Sequence, residues 1–159
     1  MYEKLYFTPG DLGYPVMDVG FARVGVQICY DRNFPEGYRV LALRGAEVVY
    51  TPTALMRVGG VWGSNTWELV LRARAYENGI FVVGVNKAGH EWGLDYVGDS
   101  LVACPLDGSV TARTEAEADD LLVVEVDLDD IQEARKRLPF MRDRRPLTYG
   151  PLAGGHACA

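Results

Sequence analysis

The sequence predicts an α/β protein built around a mixed β-sheet, and three observations lead to that fold class. Apolar and β-branched runs of strand length alternate with helical patterns through residue 85. The dipeptide Asp107-Gly108 then separates two further strand-like runs, as in an antiparallel hairpin. Of the 159 residues, 48% are hydrophobic and 24% charged, which is ordinary for a globular domain with a core.

Prolines and glycines set the predicted boundaries of the elements. Pro35 occupies a position typical of a first helical residue, and Gly45 and Gly79 are expected to end two helices. Pro52 is expected to end the third strand, because proline cannot donate a ladder hydrogen bond. The nearly all-apolar run 80–85 predicts a strand covered on both faces. The predicted strands are 15–19, 21–30, 47–51, 80–85, 99–105, 109–113 and 121–126, and the predicted helices are 35–44, 65–78 and 129–138.

Charge and cysteine usage exclude several classes of protein. The formal net charge of −6 argues against a nucleic-acid partner or an anionic membrane surface. The chain has no apolar run of membrane-spanning length, and its first residues lack the pattern of a signal peptide. Three widely spaced cysteines predict neither a disulfide framework nor a zinc site, so we expect a protein of the reducing cytoplasm.

The segment VGVQICYDRNFPE at 24–36 carries the strongest chemical signal. An apolar strand pattern ends at Cys29, turn formers follow, and Pro35 begins a helical pattern. A cysteine at such a junction is typical of an exposed nucleophile, and the N–H of Tyr30 would stabilise an oxyanion. The alternative is that Cys29 is a small buried hydrophobe, the role expected of Cys104; Cys158 is expected to lie in the tail.

A series of motifs along the chain resembles one family. The motifs are YEKLYFTPGD (2–11), GVQICYD (25–31), FPE (34–36), GAE (45–47), TPT (51–53), RAYEN (74–78), VN (85–86), GDS (98–100), PLDG (105–108) and RDRRP (142–146), followed by Tyr149. Their order resembles the C-terminal part of the nitrilase superfamily of carbon–nitrogen hydrolases, over nearly the whole chain. The resemblance implies the C-terminal portion of a nitrilase-like α-β-β-α sandwich, with residues 1–138 a partial hydrolase domain and 139–159 its C-terminal arm.

The resemblance also implies a mechanism. Cys29 matches the nucleophile that forms a thioester-type intermediate, the Tyr30 N–H matches an oxyanion donor, and Glu3 matches a second, orienting glutamate. The family's general-base glutamate and its oxyanion lysine match no residue of this chain. Loss of a general base costs about 10²–10⁴ in rate and loss of one oxyanion donor about 10²–10³. We therefore expect a late or misassigned start, or a fragment with impaired activity.

Other side chains have two interpretations each. Thr53, Asn86 and Trp62 are candidates to line a substrate pocket, although core packing explains Trp62, like Trp67, equally well. His90 would form a Cys–His dyad if it lay beside Cys29, but its polar, glycine-rich surroundings favour a surface position. Arg74 and Glu77, one helical turn apart, are candidates to contact the site, but their spacing favours a structural ion pair. The basic run 142–145 is a candidate to bind phosphate or nucleic acid, but the acidic chain as a whole favours salt bridges in a docking arm.

Three functional hypotheses therefore remain from the sequence. The first is what the resemblance implies: a homo-oligomeric hydrolase of small molecules, N-carbamoyl amines or small amides, that needs no metal or organic cofactor. The charge adds the expectation of no nucleic-acid or membrane partner. The second is a non-catalytic truncated homologue or subunit. The third is a Cys–His hydrolase or a thiol redox protein, which requires His90 or a second thiol beside Cys29.

Overall fold

A computed structural model describes residues 3–57, 64–114 and 119–154 and confirms a mixed α/β fold. The strands are β1 (Met17–Asp18), β2 (Arg23–Val26), β3 (Val48–Thr53), β4 (Phe81–Asn86), β5 (Ala88–Glu91), β6 (Leu94–Val97), β7 (Leu101–Ala103) and β8 (Val110–Arg113). The helices are α1 (Pro35–Leu43), α2 (Ser64–Asn78), α3 (Asp129–Arg137) and α4 (Gly150–Ala153), with 3₁₀ turns at Glu3–Leu5, Cys29–Asn33 and Pro146–Thr148.

The main sheet has six strands in the order β1-β2-β3-β4-β7-β8. Its centre is parallel, because β2, β3 and β4 run in one direction, whereas β1, β7 and β8 add antiparallel edges. The parallel connections pass through α1 and α2, as crossover connections require. The carboxyl ends of β2, β3 and β4 therefore meet at one edge of the sheet, the usual place for a site in such folds.

Two glycines let the helices approach the sheet closely. A Cβ atom on Gly84 of β4 would lie 2.4 Å from Leu71 Cδ1 and 2.7 Å from Trp67 Cζ2, both on α2. A Cβ atom on Gly25 of β2 would lie 2.9 Å from Leu41 of α1. Leu41, Leu71 and Trp67 are all fully buried, so this face of the sheet holds the main core.

The other face of the sheet is only partly covered. Phe81 and Val102 pack against Ile131 of α3, together with side chains from the segment 122–128. Phe81, Val102 and side chains of this segment also line an apolar groove of about 580 Å³, and Val85, which lines it too, is 47% exposed. The prediction that strand 80–85 is covered on both faces is therefore right at Phe81 and wrong at Val85.

Most predicted boundaries are confirmed within one or two residues, and the glycine signals are correct. Gly45 and Gly79 follow the ends of α1 and α2 with φ of +88° and +56°, in the left-handed region that favours glycine. The hairpin at Asp107-Gly108 also forms, joining β7 to β8. The predicted strand 21–30 is shorter, since β2 ends at Val26 and Cys29 already belongs to a 3₁₀ turn.

Three predictions about strands are wrong. Pro52 lies inside β3 opposite Val85; the pairing with β2 stops at Tyr50, so no ladder hydrogen bond is required of Pro52 on that side. Residues 121–126 do not pair as a strand among the described residues; they alternate in burial and pack over the sheet. No strand was predicted in the polar, glycine-rich region around His90, yet β5 and β6 form a hairpin there, turning at Trp92 and Gly93 with φ of +51° and +79°.

Candidate active site

Cys29 lies at the carboxyl end of β2, in the turn that leads into α1. It is the first residue of the 3₁₀ turn Cys29–Asn33 and is partly exposed. Its φ is +47°, the left-handed region that costs a non-glycine residue about 1–2 kcal/mol. Such strain persists where surrounding contacts hold it, and it concentrates at functional sites.

Asp31 closes this turn from within. Its Oδ2 atom accepts a hydrogen bond from the Ile28 N–H at 3.0 Å, and its own N–H donates to the Ile28 carbonyl at 2.9 Å. The two bonds form a reciprocal cap around Cys29, like those that begin regular helices. The sequence position of Asp31, two residues after the cysteine, is thus explained by backbone geometry.

Two arginine side chains also hold this turn, Arg32 from within the turn and Arg74 from α2. Arg32 is 4% exposed and its Nη1 atom donates to the Cys29 carbonyl at 2.8 Å. Arg74 reaches from α2 and donates through Nε to the Arg32 carbonyl at 3.2 Å and through Nη2 to the Asn33 carbonyl at 3.3 Å. Its third nitrogen, Nη1, pairs with Glu77 at 3.0 Å, which confirms the predicted structural ion pair.

The predicted lining residues Thr53 and Asn86 end the two neighbouring parallel strands. They are register partners in β3 and β4, and both are buried. The Asn86 side chain accepts from the Leu55 N–H at 2.9 Å and donates to the Gly98 carbonyl at 2.6 Å. Its amide therefore holds the loops at Leu55 and Gly98 together at this edge of the sheet. Asn86 thus has a structural role that does not depend on contact with a substrate.

The structure describes only some of the remaining predicted site residues. Tyr30 follows Cys29 in the turn, is 41% exposed and packs edge-on against Phe34. Glu3 lies in the 3₁₀ turn Glu3–Leu5, with only its backbone described. Trp62 and Cys158 lie outside the described residues. Trp67 is fully buried and donates to the Asp99 carbonyl at 2.7 Å, so core packing is its role.

The structure does not support a Cys–His dyad with His90. The His90 Nδ1 atom lies 2.7 Å from Asp95 Oδ1 on the exposed hairpin of β5 and β6. Among residues 3–57, 64–114 and 119–154, no hydrogen bond joins Cys29 to a histidine, and Cys29 and Cys104 are not joined in a disulfide. Burial raises the pKa of the Cys104 thiol, which fits a core position.

Within the same described ranges, no group of three or more histidine, cysteine or carboxylate side chains is arranged to hold a metal ion. None of the described helices has the length and apolar character needed to cross a membrane. The candidate site consists of Cys29, its turn and the ends of β2, β3 and β4.

Comparison with known proteins decides the family. The sequence profile of the carbon-nitrogen hydrolases matches residues 1–136. This chain belongs to the carbon–nitrogen hydrolase family. The result confirms the resemblance to the nitrilase superfamily that the sequence motifs indicated.

Individual relatives of this family member include enzymes from plants and bacteria. An N-carbamoylputrescine amidase from Arabidopsis thaliana is 35% identical over 94% of the chain and 54% of its own length. The crystal structure of a carbon-nitrogen hydrolase from Helicobacter pylori G27 superposes with a TM-score of 0.88 at 33% identity, over 95% of this chain and 56% of that one. The chain thus spans about half the length of the relatives it matches.

A second solved structure bears on the cysteine. A mutant amidase from Nesterenkonia sp. AN1 has a TM-score of 0.77 and 34% identity over 94% of this chain and 51% of that one. It is described as showing covalent addition of the acetamide moiety of fluoroacetamide at the active site cysteine.

The sequence patterns predicted Cys29 and its turn, but they did not predict that the side chains of Arg32 and Arg74 hold the turn together.

Proposed function

We propose that this carbon–nitrogen hydrolase chain supplies the nucleophile for hydrolysis of N-carbamoyl amines or small amides, with Cys29 as that nucleophile. The observation that supports this most is the position of Cys29. It stands at the carboxyl end of a central parallel strand, in a left-handed conformation held by hydrogen bonds on both sides. A buried structural cysteine needs neither the strain nor the turn.

The proposed chemistry for an amide begins when the Cys29 thiolate attacks the carbonyl carbon. The new C–S bond pushes an electron pair onto oxygen, and the N–H of Tyr30 donates to that oxyanion. Collapse of the tetrahedral intermediate breaks the C–N bond, and the amine leaves with a proton from a general acid. Water then attacks the thioester, which releases the acid and returns the thiol. Glu3 is proposed to orient substrate and water.

The general base and the oxyanion lysine have no match among the residues of this chain. We therefore also propose that groups outside these 159 residues supply the general base and the lysine, and that the chain alone hydrolyses its substrate poorly. The substrate class rests on the relatives, which include N-carbamoylputrescine amidase. Thr53, Asn86 and Trp62 are proposed to border the substrate, Asn86 by fixing the loops beside it.

The division into a domain at 1–138 and an arm at 139–159 stays a prediction. The same holds for the homo-oligomeric state and the cytoplasmic location. A non-catalytic homologue or subunit is the second candidate, because no described contact places a base beside Cys29 among the ranges that the structure covers.

Alkylation of the folded chain tests the nucleophile directly. The chain is treated with iodoacetamide and its cysteine peptides are quantified by mass spectrometry, with Cys29→Ser and Cys104→Ser as matched variants. We expect rapid labelling at Cys29, loss of that label only in Cys29→Ser, and slow labelling of buried Cys104. A Cys29 that reacts no faster than Cys104 would show that it is not an exposed nucleophile.

Hydrolysis separates the two candidates. Ammonia release from N-carbamoylputrescine and from acetamide is measured for the chain and for a version extended upstream in its own reading frame. The hydrolase proposal expects activity in the extended protein that Cys29→Ser abolishes. An extended protein that labels at Cys29 but hydrolyses neither compound favours the non-catalytic candidate.

A further inference from the structure

We propose that Arg32 is a positioning residue for the oxyanion donor and that it acts through the peptide bond between Cys29 and Tyr30. This inference rests on the proposed function, since it takes Cys29 as nucleophile and the Tyr30 N–H as oxyanion donor. Arg74 is assigned the supporting role of fixing the next carbonyls of the turn. Neither arginine needs to touch the substrate for this role.

The first step is the geometry of one peptide unit. Arg32 Nη1 donates to the Cys29 carbonyl at 2.8 Å. The carbonyl of Cys29 and the N–H of Tyr30 belong to the same planar group, and in a trans peptide they point in opposite directions. A guanidinium that fixes the direction of that carbonyl therefore fixes the direction of the N–H as well.

The second step is the strength of the donor. A cation that donates to a carbonyl polarises the whole peptide unit, and hydrogen bonds in a chain strengthen one another in a low-dielectric setting. Arg32 is 4% exposed, so its charge acts with little screening. Arg32 thus makes the Tyr30 N–H a better partner for a developing negative charge than an ordinary amide would be.

The third step is the cost of placing this cation there. A buried charge is expensive unless it is paired, and Arg32 Nε has no hydrogen-bond partner. The guanidinium lies 5.7 Å from the centre of the Trp67 ring, a cation–π contact that offsets part of the cost. A residue serving only the fold has little reason to bury a charge against the carbonyl of the nucleophile.

Arg74 completes the arrangement from α2. Its side chain is 11% exposed, lies 5.9 Å from the Tyr38 ring and is held by Glu77. Through its bonds to the Arg32 and Asn33 carbonyls, it holds the C-terminal half of the turn against α2. Carbonyls at the end of so short a helix lack internal partners, and Arg74 supplies them.

The test compares two reactions of the same thiol in the 159-residue chain. With p-nitrophenyl acetate, the Cys29 thiolate attacks the ester carbonyl, an oxyanion forms, p-nitrophenolate leaves, and Cys29 becomes an acetyl thioester. With iodoacetamide, a C–S bond forms as the C–I bond breaks and iodide leaves, without an oxyanion. The ratio of acylation rate to alkylation rate at Cys29 therefore reports the oxyanion donor, and any change in the thiolate fraction cancels in it.

We expect Arg32→Met to lower that ratio by about tenfold or more, because a misaligned oxyanion donor approaches the loss of one. Arg32→Lys should restore part of the ratio. Arg74→Met should lower it less, about threefold, because Arg74 acts one step further away. The control is Arg72→Met, on the same helix, since Arg72 donates to the Gly108 carbonyl and pairs with Glu68 without touching the turn; its ratio should stay at the wild-type value.

The outcomes separate the two proposals. If wild-type Cys29 is neither alkylated nor acylated above the Cys29→Ser background, both the proposed function and this inference fail. If wild-type Cys29 reacts and Arg32→Met changes both rates equally or changes neither, the proposed function stands and the positioning role is wrong. If circular dichroism shows that Arg32→Met does not fold, Arg32→Gln decides, because its shorter, neutral side chain removes the charged donor to the Cys29 carbonyl and leaves a polar group in place. An unchanged ratio in a folded Arg32→Gln, together with an unchanged ratio in Arg74→Met, would also overturn the inference.

Discussion

The phenol oxygen of Tyr38 lies 2.7 Å from the hydroxyl oxygen of Thr51, and both side chains are fully buried. The bond joins α1 to the middle of β3. Because α1 follows the Cys29 turn directly, this contact ties the helix behind the nucleophile to the centre of the sheet. The turn is therefore supported from the sheet as well as from α2.

Burial raises the pKa of Tyr38 to about 12, and a pH dependence follows. The unfolded chain loses this proton near pH 10, whereas the folded chain keeps it until about pH 12. Stability from this group is thus full below pH 10 and is lost as pH rises through that window. The free energy of unfolding, measured by urea denaturation, should fall by about 2–3 kcal/mol across the window on account of Tyr38.

Two tyrosine-to-phenylalanine variants isolate that contribution. Tyr38→Phe should remove it, so the wild type and the variant converge in stability as pH rises toward 12. Tyr6, which is 81% exposed, serves as the matched control, and Tyr6→Phe should run parallel to the wild type. Parallel curves for Tyr38→Phe and the wild type would contradict the prediction.

Asp31 should stabilise the Cys29 turn through its oxygen rather than through its charge. Asp31→Asn keeps an acceptor for the Ile28 N–H, whereas Asp31→Ala removes it. We expect Asp31→Ala to lower the free energy of unfolding by about 1 kcal/mol and Asp31→Asn to lower it by a few tenths at most. Amide hydrogen exchange at Ile28 should accelerate only in the alanine variant, and equal exchange in both would count against the cap.

Gly84 should be required for the close packing of α2 on β4. Gly84→Ala places a Cβ atom 2.4 Å from Leu71 Cδ1 and 2.7 Å from the Trp67 ring, so both buried side chains must shift. We expect a loss of about 1–3 kcal/mol in the free energy of unfolding. Gly10→Ala is the control, because a Cβ atom there meets nothing within 4 Å.

A double-mutant cycle identifies the cause of that loss. Leu71→Ala alone creates a cavity and is itself expected to cost about 2–5 kcal/mol. In the Leu71→Ala background, however, the methyl group of Gly84→Ala has room, so its added cost should be smaller than in the wild type. Strict additivity of the two substitutions would show that the strain arises elsewhere.

The sequence predicted the elements best where local chemistry and tertiary structure agree. Gly45 and Gly79 lie at helix ends with positive φ, which is the conformation their position indicated. The β5–β6 hairpin was missed because its turn places Trp92 in the left-handed region, where asparagine or glycine is the usual signal. The prediction at Pro52 was wrong because proline lacks an N–H donor, and only the register of β2 shows that no such donor is needed at this position.

The candidate site shows the same division. The position of Cys29 at the end of a strand was predictable, since it depends on a local change from strand pattern to turn formers. The contacts of Arg74 with the turn were not, because they join residues 41 and 42 positions apart in sequence. Long-range hydrogen bonds to main-chain carbonyls leave no pattern in a single sequence. The bond from Arg32 to the Cys29 carbonyl is local, and the position of Arg32 directly after the motif at 25–31 was the signal available for it.

Asn86 should act mainly as a link between two loops beside the site. Its Oδ1 atom accepts from the Leu55 N–H at 2.9 Å, and its Nδ2 atom donates to the Gly98 carbonyl at 2.6 Å. Asn86→Asp keeps the first bond but replaces the second donor by an oxygen that faces a carbonyl. The new carboxylate oxygen and the Gly98 carbonyl oxygen then face each other, buried and with no hydrogen atom between them. We therefore expect a loss of about 1–3 kcal/mol in the free energy of unfolding at neutral pH.

The pH dependence of the variant tests this explanation. The carboxyl group that Asn86→Asp introduces regains a donor toward the Gly98 carbonyl once it is protonated, so the difference from the wild type should shrink as the solution becomes acidic. Thr53→Val, at the register partner of Asn86, is the matched control. The described hydrogen bond of the Thr53 hydroxyl is a long one, 3.3 Å to the Thr51 carbonyl, so its loss should cost little and should not depend on pH. If Asn86→Asp leaves the unfolding free energy unchanged but prevents hydrolysis by the extended protein, Asn86 contacts the substrate and is not chiefly a structural link.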